Sequence, residues 1–303
     1  METLLNMGMN NKKIVWVDSD LDGVSSYLAF KWLNEAIPYK CTTVKRFRDD
    51  FSKWLQKVDI NEYEQVYIID IDTSSSLDLV DRPNITIIDH HATHAEIVHI
   101  YEKAKIHIET LTSCAKLVLK TYKHNISKLT KAQLKLISLA DDYDCYELKF
   151  PETLDLNTVF WNFTASRFEK FIAEFDKGFN GFNNFHKNII QIHNKKLADV
   201  LNDVEVYTAT IPVNSANVKV VMAECDYALN EVADALIKKH NADISVIVNV
   251  VGNYVSFRRS KACTVELHKF AEKICGDGGG HPTAAGGKIS DTFLNFCKIF
   301  KKI

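Results

Sequence analysis

The chain has 303 residues, 46% of them hydrophobic, and a formal net charge of −2 from 37 Lys+Arg against 39 Asp+Glu. That length suits two domains, and the charge balance lacks the basic excess of proteins that hold long nucleic acid through many phosphates. A short nucleic-acid substrate remains compatible with it. Apolar runs such as 246–248 are too short to span a bilayer, and the opening METLLNMGMNNKK has no apolar core with a small-residue cleavage site. It reads as a short lead-in to the first strand. The 7 cysteines are scattered without a C-x-x-C pair, which suits a reducing, cytoplasmic setting and argues against a disulfide framework or zinc ribbon.

Residues 13–17 predict a short strand running into the acidic loop 18–23, then a helix with Val24, Leu28, Trp32 and Leu33 on one face. Residues 41–47 and 65–71 read as two further strands separated by the amphipathic segment 50–58. Residues 85–88 form a fourth strand that runs straight into Asp89, His90 and His91. Apolar strands alternating with helices imply an α/β domain built on a parallel sheet covered on both faces. Ligands bind such sheets outside the carboxyl ends of the strands. Acidic or histidine clusters end three of these strands, so one mouth should hold them all. Helices are predicted over 113–122 and 130–140, followed by Asp141, Asp142, Tyr143 and Asp144.

The stretch 157–203 is helical in pattern and ends in a helical connector, 191–203. It separates an N-terminal domain, 1–190, from a smaller α/β C-terminal domain, 204–303. There, strands are expected at 204–211, 218–222, 244–251 and 254–257, with helices at 229–240 and 264–274. A Gly-rich loop, 276–287, precedes the last helical segment.

Asp18-Ser19-Asp20-Leu21-Asp22-Gly23 opens like an EF-hand loop, but position twelve is Ala29 and a strand precedes it, so that reading fails. Taken alone, the run could be a solvated turn with Asp22 capping the next helix. Three carboxylates on alternate residues nevertheless repel unless a cation sits among them, and oxygen ligands suit Mg²⁺ and Mn²⁺. Asp70 and Asp72, by themselves, read as an ordinary strand-end turn. Asp89-His90-His91 is less easily a surface pair, because adjacent histidines after a strand project in different directions. Asp141, Asp142 and Asp144 follow a predicted helix, where carboxylates oppose the helix dipole and invite a cation. Together the clusters supply the ligands that a pair of divalent cations about 3.5–4 Å apart requires. Mixed imidazole and carboxylate donors favour Mn²⁺, with Mg²⁺ an alternative.

In the C-terminal part, five of the chain's 11 glycines crowd into 278–287 around His281. Glycine permits close backbone approach, so peptide N–H groups there can cradle an anion. Arg258 and Arg259, at a strand end, suit bidentate phosphate pairing. The plain alternative is a flexible surface loop.

These motifs resemble the DHH phosphoesterase superfamily: DSDLDGVSS at 18–26, Asp70 to Ser74, Asp89-His90-His91, the Asp141 to Asp144 run, and VSFRRS with GGGHPTAAGG in the C-terminal domain. The resemblance implies an N-terminal DHH domain with two Mn²⁺ ions and a C-terminal domain that grips the nucleotide end. Carried across, it implies metal ligation by Asp18, Asp20, Asp22, Asp70, His91 and Asp142. Asp72 is the alternative bridging ligand, and Asp141 and Asp144 are alternatives for the last. His90, taken with Asp22 as catalytic, would support the scissile phosphate or leaving group. Gly279, Gly280, His281 and Arg258 or Arg259 would hold substrate.

Nano-RNases of this superfamily carry a His where Trp16 stands here, and the alternate-Asp form is closer to RecJ-type exonucleases, which carry extra domains. The expectation is therefore a phosphodiesterase releasing nucleoside 5′-monophosphates from short single-stranded oligonucleotides or dinucleotides, away from membranes, with a homodimer left open. Competing expectations are hydrolysis of a signalling dinucleotide or a 3′,5′-bisphosphorylated nucleotide, a RecJ-like exonuclease, and an idle nucleotide sensor. An idle sensor would show erosion of the metal set, and the set looks complete.

Overall fold

The structure, a computed structural model, describes residues 12–213, 216–280 and 282–303. The lead-in at 1–11 and His281 lie outside them. The chain divides into two units, Met1–Ile190 and Gln191–Ile303.

The first unit runs β1 (Lys12–Asp18), α1 (Leu21–Leu33), β2 (Tyr39–Thr42), α2 (Val44–Leu55), β3 (Tyr63–Ile69), α3 (Leu77–Val80), β4 (Ile85–Asp89), α4 (Ala92–Ala95), β5 (Lys105–Ile108), α5 (Cys114–Thr121), α6 (Lys131–Asp144), α7 (Thr153–Asn162) and α8 (Arg167–Phe175). Its five strands are all parallel, in the order β2-β1-β3-β4-β5. Successive side chains alternate between two cores. Trp16, Ile68 and Ile87 pack with Phe47, Phe51 and Trp54 of α2. Val15, Val17, Ile69 and Ile88 pack under Leu28 and Phe30 of α1 and the helices beyond it. Both faces are apolar, which is why the strands read as continuous hydrophobic runs. From β1 the chain goes to one side for β2 and then to the other for β3. The order reverses there, at the carboxyl ends of β1 and β3, the place where ligands bind open sheets of this kind.

The helix α1 is buried nearly all round, because the sheet lies beneath it and α5 and α6 pack over it. The one-faced amphipathic helix expected there is thus corrected. The predicted strand at 41–47 is also corrected: β2 ends at Thr42, Thr43 is an extended N-cap, and the helix begins at Val44. Phe47, Phe51 and Trp54 recur at helical spacing and bury against Trp16. That long-range aromatic packing outweighs the local β-like alternation. The strand β5, an edge strand with no fully buried residue, was not predicted.

Gly23 is required by close packing at the turn into α1. A Cβ there would meet the Asp18 carbonyl oxygen at 2.1 Å. Gly23→Ala should therefore destabilise the protein by about 1–3 kcal/mol, as overpacking against a backbone atom does. A urea midpoint unchanged from wild type would refute this.

A long helix, α9 (Asn184–Asp203), leads to the second unit, which continues with β6 (Val206–Val213), β7 (Ala216–Glu224), α10 (Leu229–His240), β8 (Ile244–Asn249), β9 (Tyr254–Arg259), α11 (Leu267–Cys275), β10 (Gly279–Gly280), β11 (Ala284–Lys288), α12 (Asp291–Cys297) and β12 (Lys301–Lys302). Its sheet has the order β10-β11-β9-β8-β7-β6-β12 and is antiparallel except for the β7–β8 pair. The Gly-rich segment expected to be a loop contributes two strands. β11 pairs with β9, bringing Gly286 opposite Ser256, and a Cβ on Gly286 would meet the Tyr254 hydroxyl at 2.3 Å. Its glycines serve strand packing as well as any ligand.

Candidate metal centre

Asp18 is the last residue of β1 and accepts from the Ser19 N–H at 2.5 Å. Asp20 caps α1, accepting from the Gly23 N–H at 2.8 Å. Asp22, 3% exposed, accepts from the N–H groups of Cys114 (2.6 Å) and Ala115 (3.0 Å), the first residues of α5. The positive end of that helix therefore faces its carboxylate. Asp70 follows β3 in the left-handed region, at φ 62, and is 2% exposed. A non-glycine residue held there is strained, and such strain concentrates at functional sites.

His90 joins these groups. Its Nδ1 donates to the Leu111 carbonyl at 3.2 Å, leaving Nε2 with a free lone pair. Nε2 lies 3.6 Å from Asp22 Oδ2, 3.5 Å from Asp70 Oδ1 and 3.6 Å from Asp144 Oδ2. His91 stands alongside: it offers a ligand atom within 4.8 Å of those of Asp70 and His90. Its Nδ1 donates to Asp89 Oδ1 at 2.8 Å.

The electrostatics show what the cluster lacks. Burial, reinforced by Asp20, pushes Asp18 up to about 8. Burial also raises Asp22 to about 6, although His90 opposes the rise. Asp70 and Asp144 are pushed well above the carboxylate range by burial, then by the neighbouring aspartates. For His91, burial opposes the charged form, but the hydrogen bond and charge of Asp89 outweigh it and raise the ring to about 9. Crowded carboxylates that repel one another, beside the lone pair of His90 Nε2, form a donor set suited to divalent cations such as Mn²⁺.

Asp18, Asp20, Asp22, Asp70, His90 and His91 thus gather at one place. Asp142 does not, and this corrects the expectation for it. Its carboxylate accepts from the N–H groups of Lys149 (3.0 Å) and Phe150 (3.1 Å) and from Thr153 Oγ1 (2.6 Å), tying down the turn into α7. Burial opposes its charge, but these donors hold its carboxyl below the usual range. Asp144, two residues on, faces His90 instead. Asp141 is taken up by Ser113, Thr112 and Lys116, and Asp72 by the Ser74 N–H and the Thr93 hydroxyl. The helix α6 runs through Asp144, so these aspartates form its last turn and face different sides. Sequence reasoning also missed His94, Tyr101 and Thr73 behind Asp89. A third histidine close after the DHH run was the one available sign.

In the second unit, Arg258 is held by Asn230 Oδ1 at 2.7 Å, and the buried Arg259 Nε has no hydrogen-bond partner among the described residues. Gly279 and Gly280 pair with Gly286 and Ala285. No helix among the described residues is long and apolar enough to cross a membrane.

The DHHA1 domain family matches residues 217–303. No curated protein sequence matches the chain. Among solved structures, the pGpG-specific phosphodiesterase PggH from Vibrio cholerae is similar, with 14% identity, 95% of this chain and 96% of that chain covered, and a TM-score of 0.59. An exopolyphosphatase-related protein from Bacteroides fragilis is similar at 15% identity, covering 96% of this chain and 90% of that one, with a TM-score of 0.55. RecJ from Thermus thermophilus, in complex with Mn²⁺, is similar at 10% identity, with 95% of this chain and 51% of that chain covered and a TM-score of 0.57. At these identities the structural likeness shows a shared fold.

Proposed function

From a chain that has the DHH phosphoesterase fold and carries a DHHA1 domain at residues 217–303, we propose a metal-dependent phosphodiesterase that hydrolyses short oligonucleotides to nucleoside 5′-monophosphates. The observation that carries this reading is the convergence of Asp22, Asp70 and Asp144 on His90 Nε2 at 3.5–3.6 Å, with His91 beside them. Asp18, Asp20, Asp22, Asp70, Asp144 and His90 would hold the cations. Divalent cations there supply Lewis-acid polarisation of a phosphoryl oxygen and activation of water for attack.

The protein's own groups do the rest. His90 is fixed by Leu111 with its lone pair toward the carboxylates, so it serves as a ligand. His91 is the more open of the two, its side chain 27% exposed against 7% for His90. With Nδ1–H on Asp89 and the ring raised to about 9, the imidazolium can donate its Nε2–H to a phosphoryl or leaving oxygen. This reverses the division of labour expected from the motif alone. Gly279, Gly280, His281, Arg258 and Arg259 are assigned to substrate binding. His281→Ala should raise KM more than it lowers kcat, the pattern of lost binding shared by ground and transition states.

A second reading is hydrolysis of a linear signalling dinucleotide, favoured by the likeness to the pGpG-specific enzyme. One experiment separates the two: a product profile with Mn²⁺ over pGpG, five-mers, long single strands, a cyclic dinucleotide and a bisphosphorylated nucleotide. The proposal expects kcat/KM to peak at about two to five nucleotides with a shallow salt slope, because few phosphates are contacted. Efficiency that climbs beyond ten nucleotides with a steep slope would replace it with a RecJ-like exonuclease. Turnover should be faster with Mn²⁺ than with Mg²⁺, since a borderline cation accepts imidazole better than a hard one does. Equal rates at saturation would count against a histidine ligand.

A further inference from the structure

The site as described leaves one buried histidine without a role. His94, in α4, is 0% exposed, as is Asp89. Its Nδ1 donates to Asp89 Oδ2 at 2.6 Å, while the other oxygen of the same carboxylate accepts from His91 Nδ1. On the far side of the His94 ring, Nε2 lies 2.6 Å from the Tyr101 hydroxyl and 3.2 Å from Thr73 Oγ1. Those two hydroxyls are themselves 2.8 Å apart. Thr73 is buried and follows directly on the turn that carries Asp70.

The geometry has a mechanical consequence. A carboxylate held at one oxygen can rotate about that contact, and one held at both has its plane fixed. Asp89 is the group behind His91, so the plane of Asp89 sets the direction in which His91 Nε2 points. For His94 to donate from Nδ1 in its neutral form, its Nε2 must accept, and the hydroxyls of Tyr101 and Thr73 provide the proton. Partners one layer behind a reactive imidazole commonly change activity by about 10–100-fold when removed.

We propose that His94, held by Tyr101 and Thr73, is a positioning residue that fixes His91 through Asp89. This rests on the assignment of His91 as the phosphate-facing residue and deepens it. The bland alternative is a space-filling histidine with satisfied hydrogen bonds.

The test uses the full chain as wild type, His94→Phe, His94→Asn and Tyr101→Phe. Three quantities are read: the low-field ring N–H resonance of His91 in chelator-treated protein, and kcat and KM on a short oligonucleotide with Mn²⁺. Phe fills space but offers no donor, so the His91 resonance should shift or broaden away, and kcat should fall by about 10–100-fold with KM within about threefold. The Asn side-chain amide can still donate to Asp89 Oδ2, so His94→Asn should recover both to within about threefold of wild type. Tyr101→Phe should give the same changes in weaker form, and it decides the matter if His94→Phe does not fold. An unmoved His91 resonance in His94→Phe and Tyr101→Phe would overturn the proposal. So would His94→Asn being as impaired as His94→Phe at equal melting temperature. Should wild type hydrolyse none of the phosphodiesters offered, the functional reading fails by itself, and the His91 resonance still decides the role of His94.

Discussion

Asp144→Asn should lower kcat/KM by on the order of 10³-fold, the scale on which a preorganised electrostatic group at a reacting centre is missed. The variant should fold normally. Asp144 lies among Asp22, Asp20 and Asp141, and its charge is opposed by burial and by these neighbours. Neutralising it relieves repulsion in the metal-free protein, so the melting temperature in chelator should hold or rise.

Asp142→Ala should do the opposite. It leaves the N–H groups of Lys149 and Phe150 and the Thr153 hydroxyl without their acceptor. Loss of a charged acceptor of this kind costs about 1–3 kcal/mol, while kcat at a temperature where the variant is folded should change little. The Asp142 carboxyl is held below its ordinary value, so its stabilisation is present above the unfolded value and is lost as pH falls through the folded one. The gap between wild type and Asp142→Ala should accordingly narrow in acid. Paired kinetics and denaturant melts check both halves. A catalytically dead but stable Asp142→Ala would return the metal role to Asp142.

The second large effect concerns pH and metal together. In chelator, stability should fall as pH rises from about 4 to 8, opposite to the usual behaviour of paired carboxylates. Asp18 and Asp22 have folded values raised to about 8 and about 6, and Asp70 and Asp144 are raised well above the carboxylate range. A raised acid keeps its proton in the native state after the unfolded chain has lost it. Its stabilisation is complete below the unfolded value and disappears as pH passes the folded one. Each proton held only by the native state contributes a slope of about −1.4 kcal/mol per pH unit. His91, raised to about 9, adds the same sign at the alkaline end.

Added Mn²⁺ should reverse the trend, because it binds the deprotonated cluster. At a hundredfold excess over Kd the gain is about 2.7 kcal/mol. Asp70→Asn should flatten the chelator curve and weaken the Mn²⁺ response. Melting temperatures across pH, with chelator and with Mn²⁺, test this. A metal-free protein that grows more stable from pH 5 to 8 would remove the case for a repulsive carboxylate cluster.

Much of this site was legible in the residues alone. Short apolar strands that end in Asp18, Asp70 and Asp89 carry their own evidence, because a parallel sheet delivers its strand ends to one edge whatever the side chains later touch. The run at 141–144 was different. Three aspartates within four residues of a helix differ by about 100° per residue in the direction they face, and only the packing of α6 decides which one turns toward His90. Asp142 meets the turn before α7, Asp141 meets Ser113 and Lys116, and Asp144 meets His90. None of those partners is close in sequence. For the two histidines the motif assigns ligation to His91 and phosphate support to His90. The reverse assignment proposed above rests on the Leu111 carbonyl, distant in sequence, and on which oxygen of the neighbouring Asp89 the packing leaves to His91.

By itself, then, the sequence determined the alternation of strands and helices, the parallel sheet of the first unit, and the residue types at its carboxyl edge. Those follow from local periodicity and from chemistry carried within a few residues. Tertiary structure alone decided that the segment after Thr42 is a helix, that the glycine-rich segment is partly strand, that Asp144 rather than Asp142 joins the cluster, and that His94 stands behind His91. The first three depend on contacts between distant segments, where the packing of Phe47 on Trp16 or the rotation of α6 outweighs local preference, and the last depends on how the turn after β4 folds His94 back onto Asp89.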